Sequence, residues 1–153
     1  MIAAAFSADG SVLAVAGEIV ITLWDPEMNV LATVIGDSLE PIGSLSFVGK
    51  SNIVSTSRGS NPRVSVWSMS KLSITWSYKL HAEAITCAQD GSSFAVLACL
   101  PESSEVAEAK ETMLQSKDGA ILLFKVGDPV PVAFVKNFNL GILLFMASHQ
   151  SPT

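Results

Sequence analysis

The stretch FSADGSVLAVAGEIVITLWD, residues 6–25, decides the fold. It alternates short apolar runs with turn residues. One run ends at Phe6, a second fills residues 12–16, and a third ends at Trp24. Asp9 and Gly10 stand between the first two runs, and both residue types tolerate the positive φ of tight hairpin turns. Small and β-branched residues in the runs are typical of buried strands. The stretch therefore predicts antiparallel strands joined by short turns.

The same pattern returns twice further along the chain. The first runs align through Phe6, Phe47 and Cys87, at offsets of 41 and 40 residues, and the third runs align through Trp24 and Trp67, 43 residues apart. Each unit holds four strand-like runs. A period near 40 residues with four strands is typical of β-propeller blades, whereas helical repeats show a 3.6-residue apolar pattern.

We therefore predict an all-β fold, an incomplete β-propeller of about three four-stranded antiparallel blades plus the start of a fourth. A single domain of this kind fills residues 1–153. The predicted blades cover residues 1–38, 39–81 and 82–138, and residues 139–148 begin the next blade. Such an array leaves two apolar sheet faces open, which we expect the remainder of a propeller, a second copy or a partner to cover.

An insertion interrupts the third unit. Its aromatic position, Phe124, lies 57 residues after Trp67 because residues 101–117 intervene. That segment is rich in Glu and Ser, with apolar residues at helix-like spacing. A solvated loop is the favoured interpretation, and a short amphipathic helix for a partner is the alternative.

Composition excludes several functional classes. Hydrophobic residues make up 49% and charged residues 15%, which favours a folded chain. A net charge of -5 with scattered basic residues argues against an autonomous nucleic-acid module. No apolar run approaches the roughly 18 residues of a membrane helix. Because zinc-type Cys/His spacing and phosphate-binding glycine loops are also missing from the sequence, we predict no cofactor, metal site, small-molecule substrate or membrane association.

Catalytic chemistry has little support in the sequence. Cys87 and His81 are the nearest approach to a nucleophile and base, but their spacing defines no geometry, and a buried strand cysteine is the favoured interpretation. The turn carboxylates are expected to bond nearby backbone rather than act as acids or bases; they are Asp9, Asp25, Asp90 and Asp118. We predict that the chain is not an enzyme.

Residues 6–11, 13–15 and 21–25 together resemble a WD-repeat blade. The wider sequence, including residues 74–80 and 120–125, resembles the family of WD-repeat protein seventy-five, also called NET-one-associated nuclear protein. The resemblance covers residues 2–147 and points to the later of that family's two propellers. Family members are much longer, so we expect this chain to be a fragment or a truncated product.

The resemblance also assigns structural positions. WD-repeat blades often join a His, a Ser or Thr of the second strand, an Asp and the Trp in one hydrogen-bond network. Here only parts of that network are present. The second unit has Thr56 beside Trp67, and the third unit has His81 and Asp118 facing Phe124. The predicted structural blade positions are Trp24, Asp25, Trp67, His81, Asp118 and Phe124. Trp24 and Trp67 are expected to be buried between neighbouring blades.

Two groups of residues are candidate partner contacts. Trp76 and Tyr78 lie on the predicted outermost strand of the second unit, where exposed aromatic side chains can anchor an interface. Arg58 and Arg63 flank a polar loop and form the best basic spot in the chain.

The resemblance implies a function without chemistry, that of a scaffold for protein–protein interaction in nucleolar ribosome biogenesis. Its partners would be other t-UTP proteins of the small-subunit processome, in the nucleus and nucleolus, during pre-rRNA transcription and processing. Contact with pre-rRNA is expected to be indirect. The alternative is a generic WD-repeat adaptor that binds peptides in another complex, such as a ubiquitin ligase or a trafficking assembly.

Overall fold

The computed structural model describes residues 3–36, 38, 40–99 and 118–139. These residues form twelve β-strands: β1 (Ala3–Phe6), β2 (Leu13–Ala16), β3 (Ile21–Asp25), β4 (Val30–Ile35), β5 (Ile42–Val48), β6 (Asn52–Ser57), β7 (Arg63–Ser68), β8 (Ser73–Lys79), β9 (Ala82–Cys87), β10 (Ser93–Cys99), β11 (Asp118–Lys125) and β12 (Ala133–Asn139). Within the described ranges no helix is long and apolar enough to cross a membrane. The predicted insertion at 101–117, and the predicted next blade beyond residue 139, lie outside the described residues.

The strands form three separate four-stranded sheets, each an antiparallel meander in chain order. The first sheet holds β1 to β4, the second β5 to β8 and the third β9 to β12. Within the described residues the three sheets do not close into a ring. The predicted all-β fold of three four-stranded antiparallel blades is thereby confirmed.

The sheets stand side by side around an axis lined by their first strands. β5 lies against β1 on one side and against β9 on the other, so the fourth strands β4, β8 and β12 are outermost. The meander places the turns after each first and third strand at one end of the array, here called the turn end. The loops after each second strand, and the linkers between sheets, lie at the opposite end, here called the linker end.

Two apolar cores hold the three sheets together. One lies between the first and second sheets and contains Ile21 and Leu23 of β3, Ile53 of β6 and Trp67 of β7. The other lies between the second and third sheets, where valines of β6 and β7 pack against Phe94, Phe124 and their neighbours.

The pattern of buried residues along the strands shows whether each sheet is covered on one face or on both. Five consecutive residues are buried in both β6 and β7, whereas buried residues alternate with half-buried ones in β2 and β10. Successive side chains of a strand point to opposite faces. The second sheet is therefore covered on both faces, and the first and third sheets are each covered on one.

Candidate functional site

Trp67, on β7 of the second sheet, forms the only indole–hydroxyl hydrogen bond between two strands among the described residues. The Trp67 side chain is 0% exposed, and its Nε1 donates a 2.8 Å hydrogen bond to Oγ of Ser55. Ser55 lies two residues from Ile53, the register partner of Trp67, and so shares its sheet face.

The prediction that Thr56 stands beside Trp67 is wrong. Thr56 points to the other face of β6, where its Oγ1 lies 2.6 Å from Oγ of Ser44. Ser55 and Thr56 are neighbours on β6, and neighbouring side chains of a strand point to opposite faces, so only Ser55 faces Trp67.

The other two aromatic positions lack this pair. In the first sheet Val15 occupies the place of Ser55, and Trp24 Nε1 donates instead to Oγ1 of Thr22, 3.0 Å away on its own strand. In the third sheet the register puts Val96 at that place, and Phe124 has no polar atom to pair.

The aromatic at the end of each third strand points toward the preceding sheet. Trp67 belongs to the core with the first sheet, and Phe124 belongs to the core with the second. Trp24 accordingly points away from the second sheet and is only half-buried. The expected burial between neighbouring blades is therefore met by Trp67 and not, within the described residues, by Trp24.

Trp76 and Tyr78, predicted as candidate partner contacts, pack against the third sheet instead. Trp76 Nε1 donates a 2.7 Å hydrogen bond to the carbonyl oxygen of Val126. The Trp76 ring lies 6.0 Å from the Phe94 ring and 5.6 Å from the Phe124 ring, and Tyr78 meets the Phe124 ring edge-on at 5.3 Å. Both side chains are half-buried, so their main contacts are with the neighbouring blade.

The described turn carboxylates bond local backbone, as predicted. Asp25 Oδ1 accepts from the backbone N–H of Glu27 and of Met28, both at 3.0 Å. Asp9 Oδ1 accepts from the backbone and side chain of Ser11 and from the Ser7 hydroxyl. These bonds stabilise the carboxylate and lower the Asp9 pKa from 3.8 to about 2.

Cys87 is placed for packing rather than for nucleophilic attack. Its Sγ donates to Oγ of Ser46 across the boundary of β5 and β9, at 3.3 Å, and burial raises the pKa of the thiol. His81 Nε2 lies 3.6 Å from Oε1 of Glu83. Asp118 begins β11, and its side chain lies outside what the structure describes.

The Arg58–Arg63 loop lies at the linker end, between β6 and β7. Arg58 is exposed, with its aliphatic stem over the backbone of Gly43. Ser57 Oγ accepts from the backbone N–H of Arg63 at 2.8 Å, while the Arg63 Nε is buried without a hydrogen-bond partner in the described part of the chain.

A cleft opens beside this loop, between the second and third sheets. It has a volume of about 290 Å³ and is lined by Arg58, Gly59, Pro62, His81, Ala82 and Glu83. A second cavity, of about 350 Å³, lies at the turn end along the first strands and includes Phe6, Phe47 and Cys87 in its wall. No group of three or more side chains in the described ranges could hold a metal ion.

The outward faces of the two terminal sheets are apolar and exposed. On the first sheet Phe6, Leu31 and Val34 share a face with Trp24. On the third sheet Leu123 and Val135 lie opposite to the face that carries Phe124. The predicted pair of open apolar faces is present in the described residues.

Comparison with known proteins agrees with this architecture. Residues 2–141 match the family described as WD repeat-containing protein 75 second beta-propeller. A search of curated proteins gave no match.

Two solved structures show the same fold at low identity. A chain in the crystal structure of the mitotic checkpoint complex is 16% identical, with a TM-score of 0.66 over 89% of this chain and 37% of that chain. The crystal structure of the C-terminal WD40 domain of Sif2 is also 16% identical, with a TM-score of 0.63 over 89% of this chain and 34% of that chain. The present chain thus spans about a third of each.

Proposed function

Since the chain belongs to the family of the second β-propeller of WD repeat-containing protein 75, we propose that it serves as a protein-interaction scaffold in nucleolar ribosome biogenesis. It would act within the small-subunit processome, beside t-UTP proteins, during pre-rRNA transcription and processing. The family match over residues 2–141 is the observation that carries this proposal.

The architecture supports a scaffold role over a catalytic one. Several of the described polar side chains are used inside the fold: buried hydroxyls pair with one another or with indole and backbone groups, and turn carboxylates bond backbone N–H groups. The Cys87 thiol, the nearest approach to a nucleophile, has a raised pKa, which leaves less of it as thiolate. Loops and exposed sheet faces are therefore the parts of the chain through which it would bind partner proteins.

Charge supports protein partners over direct RNA contact. The net charge of -5 opposes a polyphosphate, and the basic residues are spread over several loops and strands. Under the proposal, pre-rRNA reaches this chain through the proteins it holds.

The test is affinity capture of the tagged chain from nuclear extract, with and without ribonuclease. We expect t-UTP proteins in both samples. A Trp67→Asp variant is the matched control, because a carboxylate at this fully buried position breaks the core between the first two sheets.

Three outcomes contradict the proposal in different ways. Recovery that disappears after ribonuclease would show that RNA, not protein, makes the contact. Recovery of ubiquitin-ligase or trafficking proteins would favour the generic adaptor. Equal recovery by the wild type and Trp67→Asp would show that the folded blades are not the binding surface.

A further inference from the structure

The cleft at the linker end has opposite charges on its two walls. Arg58 stands on the wall formed by the second sheet, and Glu83 of β9 stands on the wall formed by the third. His81 belongs to the linker between these sheets. The cleft is therefore bipolar and is shared between two blades.

The cationic wall is available to a ligand. Arg58 is exposed and makes no ion pair with any described residue. The Arg58 stem rests on the backbone of Gly43, where a Cβ would come within 2.9 Å of the arginine Cγ. This contact restricts the aliphatic part of the Arg58 side chain, so less side-chain entropy is lost when the guanidinium binds a ligand.

The anionic wall is held by contacts of its own. Glu83 Oε1 accepts a hydrogen bond from Sγ of Cys99 at 3.1 Å and lies 3.6 Å from His81 Nε2. A second carboxylate, that of Glu40, lies over Gly59 of the adjoining loop. These carboxylates at and beside the cleft disfavour a polyphosphate, since each adds repulsion against a chain of negative charges.

We propose that this cleft binds a peptide segment of a partner protein in which an Asp or Glu side chain lies close to a Lys or Arg. The acidic side chain pairs with the Arg58 guanidinium, whose planar donors suit a carboxylate. The basic side chain pairs with Glu83. This site deepens the proposed scaffold function, on which it rests, by naming the chemistry of one partner segment.

The test uses fluorescence anisotropy with the 153-residue chain fused to maltose-binding protein. The probe is a fluorescein-labelled peptide Gly-Gly-Glu-Gly-Lys-Gly-Gly, with two comparators in which Gln replaces either the Glu or the Lys. We expect each replacement to weaken binding about tenfold, the size of one charge-assisted pair.

Variants separate the site from a general loss of fold. Arg58→Gln should abolish the preference for Glu over Gln and keep the preference for Lys. Glu83→Gln should do the reverse. Lys50→Gln removes one positive charge, as Arg58→Gln does, but at the turn end, and it should leave both preferences unchanged. Unfolding removes both preferences together, so the crossed pattern identifies the two walls.

Failure to bind any of the peptides, or equal binding of all three, would overturn the proposal. So would binding of hexauridylate that is lost in Arg58→Gln and kept in Glu83→Gln, because that pattern describes a phosphate site. The titration contains only the purified chain and synthetic ligands, so its failure leaves capture of processome proteins standing, and failed capture leaves the peptide preference standing.

Discussion

Gly49 and Gly91 meet backbone to backbone where the second and third blades join. A Cβ on Gly91 would lie 2.5 Å from Cα and 2.8 Å from N of Gly49, and both glycines have positive φ, +62° and +71°. Each occupies the turn that follows the first strand of its sheet. The close approach of these two turns sets how tightly the two blades pack at the turn end.

Gly91→Ala should destabilise the chain by about 3 kcal/mol, of which about 1 kcal/mol is the cost of positive φ and the rest is overpacking. Gly10→Ala is the matched control: its φ is +73°, but nothing lies within 4 Å of the added carbon. We expect it to cost only about 1 kcal/mol. Urea unfolding of the two variants measures the difference, and equal losses would contradict the close contact.

Ser55→Ala should destabilise the chain by about 1–3 kcal/mol, because it leaves the buried Trp67 indole N–H without its acceptor. In a double-mutant cycle with Trp67→Phe, the loss at Ser55 should shrink once the donor is gone. Urea unfolding measures the cycle. Additive losses would show that the two side chains do not interact.

The Trp67 indole resonance provides an independent check on which hydroxyl is the partner. Ser55→Ala should shift that N–H signal, whereas Thr56→Ala should leave it near its wild-type position, since Thr56 bonds Ser44 on the opposite face. The opposite result would restore Thr56 as the partner.

This pair also shows where sequence reasoning succeeded and where it stopped. The repeat, read from glycine turns and aromatic strand ends, was enough to predict the fold and its four-stranded sheets. It could not decide between Ser55 and Thr56, because neighbouring hydroxyl residues are separated only by strand parity, and parity depends on the register between β6 and β7.

Trp76 shows a second limit of the sequence. Its place on an outermost strand suggested an exposed contact, yet β8 turns the indole onto Phe94 and Phe124 of the next sheet. Packing between blades depends on how sheets are arranged around the axis, which the repeat does not specify. A signal was present in the spacing of Trp76 and Tyr78, two large aromatic side chains two residues apart and therefore on one side of a strand.

Trp76→Phe should cost about 1 kcal/mol through loss of the hydrogen bond to the Val126 carbonyl, and Trp76→Ala should cost about 3 kcal/mol through lost packing. Thermal or urea unfolding measures both. If Trp76 were mainly a partner contact, both variants would keep wild-type stability while capture of partners fell.

Acid should weaken the first turn through Asp9. Its pKa is lowered in the folded chain from 3.8 to about 2, so the carboxylate contributes stability that is fully present above pH 4 and is lost as pH falls through 2. The stability difference between wild type and Asp9→Asn should therefore be constant above pH 4 and shrink toward pH 2. A difference that stays constant down to pH 2 would show that Asp9 does not hold the turn as a carboxylate.

Cellular location tests the central claim most directly, namely that these folded blades act as a scaffold in the nucleolus. The measurement compares fluorescent fusions of the wild-type chain and Trp67→Asp in living cells with a nucleolar marker. We predict that the wild type concentrates in the nucleolus and that Trp67→Asp loses this enrichment, because its inter-blade core is broken. A wild-type chain distributed like the fluorescent protein alone would contradict the account.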